Sequence, residues 1–115
     1  MIKLEITILP KSSKHLEFSQ TLDFIKPDLE RLCSSLEVSK KNKTFTIMLI
    51  VNSVKKLMVA LHSKELRLLS GAISTLGEKS QIVIHEGEYQ RKGSDIKEIW
   101  TMYANKDRKK TNTNK

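Results

Sequence analysis

Few side chains in this sequence can do acid–base chemistry near neutral pH. Histidine is the usual general base there, and the chain has three, at positions with no metal-ligand spacing between them. His15 stands at a predicted helix start, where a solvated or capping role is favoured. His85 ends a predicted strand, which indicates a surface or dimer-interface position. His62 follows the apolar Leu61 and is therefore our candidate for a catalytic base.

Nucleophilic and metal chemistry have even fewer candidates. Cys33 is the one cysteine, so neither a disulfide nor a thiol metal cluster can form within one chain. A reactive thiol would need exposure beside a positive group such as Arg31, and a buried apolar role is favoured instead. The sequence has no glycine-rich phosphate loop and no nucleophile elbow. We therefore expect no metal and no cofactor.

The net charge of +8 raises the question of a nucleic-acid partner. Residues 104–115 hold five basic residues against Asp107, a net charge of +4, and the other 103 residues carry the remaining +4. No aromatic residue follows Tyr103, so base stacking is not supported there. We favour a disordered, solubilising tail and keep phosphate neutralisation as the alternative.

Apolar runs and the N-terminal residues of the sequence indicate where in the cell we expect the protein. The longest apolar run, Ile47 to Val51, is five residues, far short of the roughly 20 that span a bilayer. The charges in Met1 to Glu5 occupy the place of a signal peptide's apolar block. We expect a cytoplasmic protein without membrane contact.

The first half of the chain predicts a strand and a helix. Residues 2–8 alternate apolar and polar side chains, which is typical of a strand with one buried face, and Pro10 ends it. Ser12 or Ser13 is the expected N-cap of a helix. Pro27 is expected to kink or restart that helix. Its apolar stripe has helical spacing: Phe18, Leu22, Ile25, Leu29 and Leu32.

The middle of the chain predicts a hairpin. Leu36 and Val38 indicate one strand, and residues 40–43 form a polar turn. Thr44 to Val51 indicates a second strand whose apolar centre predicts burial on both faces.

A second helical region and a fourth strand follow. Asn52 or Ser53 is the expected cap, residues 62–64 are polar enough to break the helix, and Gly77 is the expected stop. The expected buried side is Leu57, Leu61, Leu68 or Leu69, Ile73 and Leu76. The fourth strand is Gln81 to His85. We expect a loop after Gly87 and then a short helix, Asp95 to Tyr103.

The element order predicts an α+β fold of ferredoxin-like βαββαβ type. Two helices would cover one face of the sheet, so we expect the other face to pack on a second copy in a homodimer. The expected domains are 1–88 for the α-β unit, 89–103 for an extension with the short helix, and 104–115 for the tail.

Several stretches together resemble a known family, the antibiotic biosynthesis monooxygenases, over roughly residues 2–99. They are Leu57 to Glu78, Ser80 to His85, Cys33 at the entry of the second strand, and Gly93 with Ile96 and Ile99. The resemblance implies a dimeric α-β barrel. It also implies a dry pocket in which a cofactor-free oxygenase would deprotonate a quinol or a small aromatic substrate.

The sequence departs from this family where the pocket should be. Val51 stands where members commonly have Trp, Ala60 where they have His, and Leu36 where they have Tyr. No Asn lies within residues 2–9, which argues against haem degradation. The pocket implied by the resemblance is lined by Leu36, Val51, Leu57, Ala60, Leu61, Leu66 and Leu69.

Three functions are compatible with these residues. We favour a non-catalytic, dimeric member that binds a small apolar ligand or a protein partner. The first alternative is a cofactor-independent monooxygenase acting on a quinol or small aromatic substrate, with His62 as the base. The second is weak electrostatic nucleic-acid binding through the tail.

Overall fold

The computed structural model describes residues 1–93 of the chain. A five-stranded antiparallel sheet in the order β2-β3-β1-β4-β5 carries the helices on one face. The elements are β1 (Ile2–Pro10), a 3-10 turn (Ser12–Lys14), α1 (His15–Arg31), β2 (Ser35–Lys41), β3 (Thr44–Val51), α2 (Val54–Leu61), α3 (Lys64–Leu76), β4 (Gly77–Glu86) and β5 (Tyr89–Gly93).

The predicted ferredoxin-like order is confirmed, and the chain's own sheet is open rather than closed into a barrel. The predicted helix from Asp95 to Tyr103 and the predicted tail, 104–115, lie outside the described residues. The proposed division at residue 88 stays a prediction.

β1 is the centre of the sheet because it pairs with both β3 and β4. Ile6 lies opposite Ile47 on one side and Ile82 on the other. Side chains alternate along β1, so Ile2, Leu4, Ile6 and Ile8 point to the helix layer and are buried there, whereas Leu9 is half-buried on the other side. The core formed in this way contains Phe18, Leu22, Ile25 and Leu29 of α1 and Leu57, Leu66, Leu69 and Ile73 of α2 and α3.

α1 differs from the sequence expectation at its start. It begins at His15, after a 3-10 turn, and Lys14 at the N-cap makes no side-chain capping hydrogen bond. The predicted serine cap is therefore wrong. The helix also continues through Pro27 to Arg31 as one element. Burial of its apolar stripe against the sheet holds this helix together across the missing Pro27 N–H.

The second helical region is divided where the sequence predicted. Ser53 caps α2, since its hydroxyl accepts from the Lys56 backbone N–H at 3.2 Å. Ser63 caps α3 in the same way, accepting from the Leu66 N–H at 3.2 Å. Each serine satisfies a backbone donor that the first helical turn leaves unpaired.

β5 occupies part of the predicted loop after Gly87. Gly87 and Glu88 form a two-residue turn between the paired residues Glu86 and Tyr89. Gly87 has φ +61°, a conformation that glycine adopts without strain and that suits the first position of such a turn. Tyr89–Gly93 can therefore fold back on β4, where Ile82 lies opposite Gly93.

β3 is buried on one face and only half-buried on the other, in contrast to the prediction of two buried faces. Phe45 and Ile47 point into the core, whereas Met48 and Ile50 point away from it. The helices that the structure describes cover one side of the sheet only, so residues 1–93 place no layer over the second side of this apolar strand.

Gly77 ends α3 and begins β4 without an intervening loop. A Cβ at this position would lie 2.5 Å from the Ile73 carbonyl oxygen and 3.1 Å from Ile8 Cδ1. Gly71, inside α3, has open space around it. The two glycines therefore form a matched pair for testing the packing of α3.

We expect Gly77→Ala to lower the free energy of unfolding by about 1–3 kcal/mol, because the added methyl group meets backbone that cannot move freely. Gly71→Ala is expected to raise it by up to about 1 kcal/mol, because alanine favours helix. Urea unfolding followed by circular dichroism measures both values. Equal effects of the two substitutions would contradict the close approach at Gly77.

Candidate functional site

The face of the sheet that points away from the helices has a mixed chemical character. We call it the open face. It carries charged, hydroxyl and apolar side chains in adjacent rows: Lys3, Glu5 and Thr7 of β1, Thr46, Met48 and Ile50 of β3, and Val83 and His85 of β4. All eight are half-buried although none of the helices within residues 1–93 covers them, because neighbouring side chains on the sheet shield one another.

The strand register sets which of these side chains meet. Glu5 lies opposite Met48 on one side and opposite Val83 on the other. Lys3 lies opposite Ile50 and His85. Apolar and charged residues therefore alternate across the centre of the open face instead of forming separate patches.

Glu5 and His85 form a hydrogen-bonded pair at the centre of the open face. His85 lies two residues beyond Val83, the cross-strand neighbour of Glu5, so the two side chains are diagonal neighbours. The Nε2–Oε1 distance is 2.9 Å, and both side chains are less than one third exposed. An ionised carboxylate can only accept, so Nε2 donates the proton and Nδ1 is the other proton-exchanging atom.

Two lysines, one from β1 and one from β5, are the charged neighbours of this pair. Lys3 is opposite His85 on β1, and Lys92 of β5 is opposite Val83. The geometry is that of an imidazole oriented by a carboxylate, an arrangement that can take up and release a proton.

His62, the predicted base, lies elsewhere. It is the exposed C-cap residue of α2, and its backbone N–H donates to the Met58 carbonyl at 3.0 Å. α2 belongs to the helix layer, whereas His85 points from the other side of the sheet. The structure therefore does not bring these two histidines together, and a catalytic role of His62 stays a prediction.

The residues of the predicted pocket are parts of the packed core. Val51, Leu57, Ala60, Leu61, Leu66 and Leu69 are all at most 4% exposed, and the half-buried Leu36 packs against the edge of the same cluster. Among the side chains that the structure describes, none that is polar or charged is fully buried. This part of the molecule therefore offers an aliphatic environment without a group that could abstract a proton.

His15 is not the solvated or capping residue expected from the sequence. Its ring lies on Phe45, with ring centres 5.2 Å apart, and its Nε2 is shielded from solvent without a hydrogen-bond partner in the described region. Phe18 also packs on Phe45, with ring centres 5.2 Å apart. This histidine thus serves mainly as a packing residue at the start of α1.

Two clefts lie outside the predicted pocket. One, of about 530 Å³, lies at the end of the sheet where β1 begins and the β4–β5 turn reverses the chain; its lining includes Asn52, Ser53, Glu86 and Glu88. The other, of about 270 Å³, is lined by Arg31, Leu32, Cys33, Ser34, Lys56 and Val59.

Cys33 is half-buried beside the smaller cleft. Its Sγ–H donates to the Leu29 carbonyl at 3.3 Å. Burial raises the pKa of the Cys33 thiol, an effect that hydrogen bonds from the backbone partly offset. The thiol form therefore predominates at neutral pH, which agrees with the packing role predicted from the sequence.

Residues 1–93 contain no cluster of three or more histidine, cysteine or acidic side chains that could hold a metal ion. None of the described helices has the length and apolar character needed to cross a membrane.

Comparison with known proteins identifies solved structures that share this fold. No protein-family model matches the sequence, and no curated protein matches it. Solved structures do match. A protein from Deinococcus radiodurans named as an antibiotic biosynthesis monooxygenase superimposes with a TM-score of 0.68 at 16% identity, covering 77% of this chain and 94% of the other.

Two further structures agree. A protein of the same designation from Nitrosomonas europaea gives a TM-score of 0.66 at 11% identity, covering 77% of this chain and 100% of its own. A conserved protein from Methanosarcina mazei Go1 gives a TM-score of 0.66 at 16% identity, and the match covers 74% of this chain and 90% of the other. The chain has the fold of the antibiotic biosynthesis monooxygenases. The resemblance seen in the sequence is thereby confirmed for the fold, and identities this low say nothing of activity.

Sequence reasoning missed the Glu5–His85 pair. His85 was expected at the surface or in a dimer interface, and the acidic partner was not foreseen, because the two residues are 80 positions apart. The available signal was the strand pattern itself. Antiparallel pairing of the first and last predicted strands would have placed both residues on the face away from the apolar stripe.

The state of Cys33 can be tested through its reaction with iodoacetamide. Because the folded-state pKa is raised, we expect the rate–pH profile to have its midpoint above that of a free cysteine, with slower reaction at pH 8. The chain unfolded in urea is the control and should react at the free-cysteine rate. Equal rates for the folded and unfolded chains would contradict a shielded thiol.

Proposed function

We propose that this protein is a non-catalytic homodimer with the fold of the antibiotic biosynthesis monooxygenases that binds a small apolar ligand. The observation that carries the proposal is the aliphatic interior. The side chains between the sheet and α2–α3 belong to residues such as Leu57, Leu61 and Leu66, and no titratable group of the described residues is buried among them. Such an environment provides no base for oxygenation. Because these side chains are packed together in the single chain, an apolar ligand would enter by displacing them.

The open face supports the homodimer. Met48, Ile50 and Val83 lie near its centre, and the part of the chain that the structure describes places no helix over them. An isologous dimer would cover these residues with the same residues of a second copy. The interleaved Lys3 and Glu5 provide opposite charges for contacts across such an interface.

A matched pair of substitutions tests the homodimer. Val83→Lys puts a charge on the centre of the open face of each copy, so we expect the dimer to dissociate because like charges meet across the symmetry axis. Val59→Lys makes the same change on the exposed surface of α2 and should leave the dimer intact. Sedimentation equilibrium distinguishes the dimer from the 13.2 kDa chain.

A wild-type protein that sediments as a monomer at micromolar concentration would refute this part of the proposal. Dissociation of both variants would show that the interface is not specific to the open face. Circular dichroism spectra of the variants confirm that each chain is folded.

The Glu5–His85 pair favours a second candidate function, a cofactor-independent oxygenase. In this alternative His85 would accept a proton from the hydroxyl group of a quinol, with Glu5 stabilising the imidazolium, before molecular oxygen reacts with the substrate anion. The pair lies on the open face, so the substrate would have to bind between the two copies of the dimer.

Oxygen uptake with a panel of quinols and naphthols separates the two functions. We expect no turnover above the uncatalysed rate, together with a ligand-dependent rise in Tm for those compounds that bind. Turnover that is lost in His85→Gln and kept in His62→Gln would establish the second candidate. The reverse result would assign the base to His62.

A further inference from the structure

Six lysines that are distant in sequence lie at the same end of the sheet. β1 ends there, the β2–β3 turn lies there, and α3 passes directly into β4 there. We call this surface the lysine end; its members are Lys11, Lys14, Lys40, Lys41, Lys43 and Lys79. Five of them are exposed and Lys14 is half-buried.

The strand register gives the width of the lysine end. Lys41 of β2 lies opposite Thr44 of β3, and Lys79 of β4 lies opposite Leu9 of β1. These four strands are neighbours in the sheet. With roughly 4.8 Å between strands, the backbones of Lys41 and Lys79 are about 14 Å apart. The lysines therefore form a row across the sheet rather than a single cluster.

Three of the lysines are held in place by contacts with the domain. Lys11 Nζ donates to the Thr75 carbonyl at 3.3 Å, and Lys14 pairs with Glu17 at 3.2 Å. Lys40 Nζ lies 5.6 Å from the centre of the Phe45 ring. The positive charge of this surface is therefore partly fixed in position before any partner binds.

The lysine end carries most of the net charge of the described chain. Residues 1–93 contain fifteen basic and ten acidic residues, a net charge of +5. In the segments that form this end, 10–17, 40–44 and 75–80, six lysines stand against Glu17 and Glu78, which gives +4. The other end of the sheet includes Glu86 and Glu88 instead. A charge that is modest in total is thus concentrated on one surface.

We propose that the lysine end binds the phosphate backbone of double-stranded nucleic acid without sequence preference. A row of ammonium groups neutralises phosphates and releases their counterions. The phenylalanines near this end, Phe18 and Phe45, are buried, so they provide no platform for unpaired bases. The lysines of this surface lie between residues 11 and 79 of the sequence, so the proposal does not involve the basic segment 104–115.

Fluorescence anisotropy with a labelled 20-base-pair DNA of arbitrary sequence, using the full chain, tests the proposal. We expect weak binding whose affinity falls steeply with salt. Replacing Lys41, Lys43 and Lys79 together by Gln should weaken binding roughly tenfold or more. It should also reduce the slope of log K against log salt concentration by about 2–3, since each phosphate contact contributes about 0.9.

Two full-length controls carry the same change in charge. Replacing Lys26, Lys55 and Lys56 by Gln removes three exposed lysines from the helices and should leave the slope within about 1 of wild type. Replacing Lys106, Lys109 and Lys110 tests the basic segment. Equal losses for all three triple variants, or a loss confined to the 106/109/110 variant, would overturn the proposal.

Two further results would also overturn it. One is the absence of DNA binding by the wild-type chain at 50 mM salt. The other is binding to phosphatidylserine vesicles that depends on Lys41, Lys43 and Lys79 while DNA does not bind, which would assign the surface to a membrane instead. Circular dichroism and urea unfolding of each variant confirm that a lost interaction is not a lost fold.

Discussion

The pairing of β1 with two neighbours is the interaction on which the rest of this structure depends. A central strand whose alternate residues are apolar must send all of them to one side, and Ile2, Leu4, Ile6 and Ile8 do so. The helices pack on these residues, because the apolar stripe of each helix is buried only against another apolar surface. The same alternation sends Lys3 and Glu5 to the other side. One strand thus defines both the aliphatic interior and the mixed chemistry of the open face.

Local patterns in the sequence predicted the structural features that depend on interactions between residues close together in the chain. The apolar spacing of α1, the cap at Ser53, the break near Ser63 and the stop at Gly77 depend on neighbours a few residues away, and the structure has them all. The order of elements was predictable for the same reason. The serine cap of α1 was not, because the 3-10 turn there lets the chain enter the helix at His15.

Features that depend on contacts between distant residues were not predicted, because local patterns do not give the strand pairing. The contact of Glu5 with His85 requires the register of β1 against β4, and the packing of His15 on Phe45 requires the position of α1 over β3. The lysine end has the same origin. In the sequence its lysines are spread between positions 11 and 79 without a pattern. Only the sheet topology shows that they belong to one surface.

The direct passage from α3 into β4 at Gly77 makes these two elements one mechanical unit. A linker between helix and strand would absorb small displacements, whereas here the Gly77 N–H bonds to the Ile73 carbonyl and Pro10 lies opposite on β1. A displacement of α3 therefore acts directly on the start of β4. His85 lies on the same strand, on the face away from the helices, with no linker between the strand and α3.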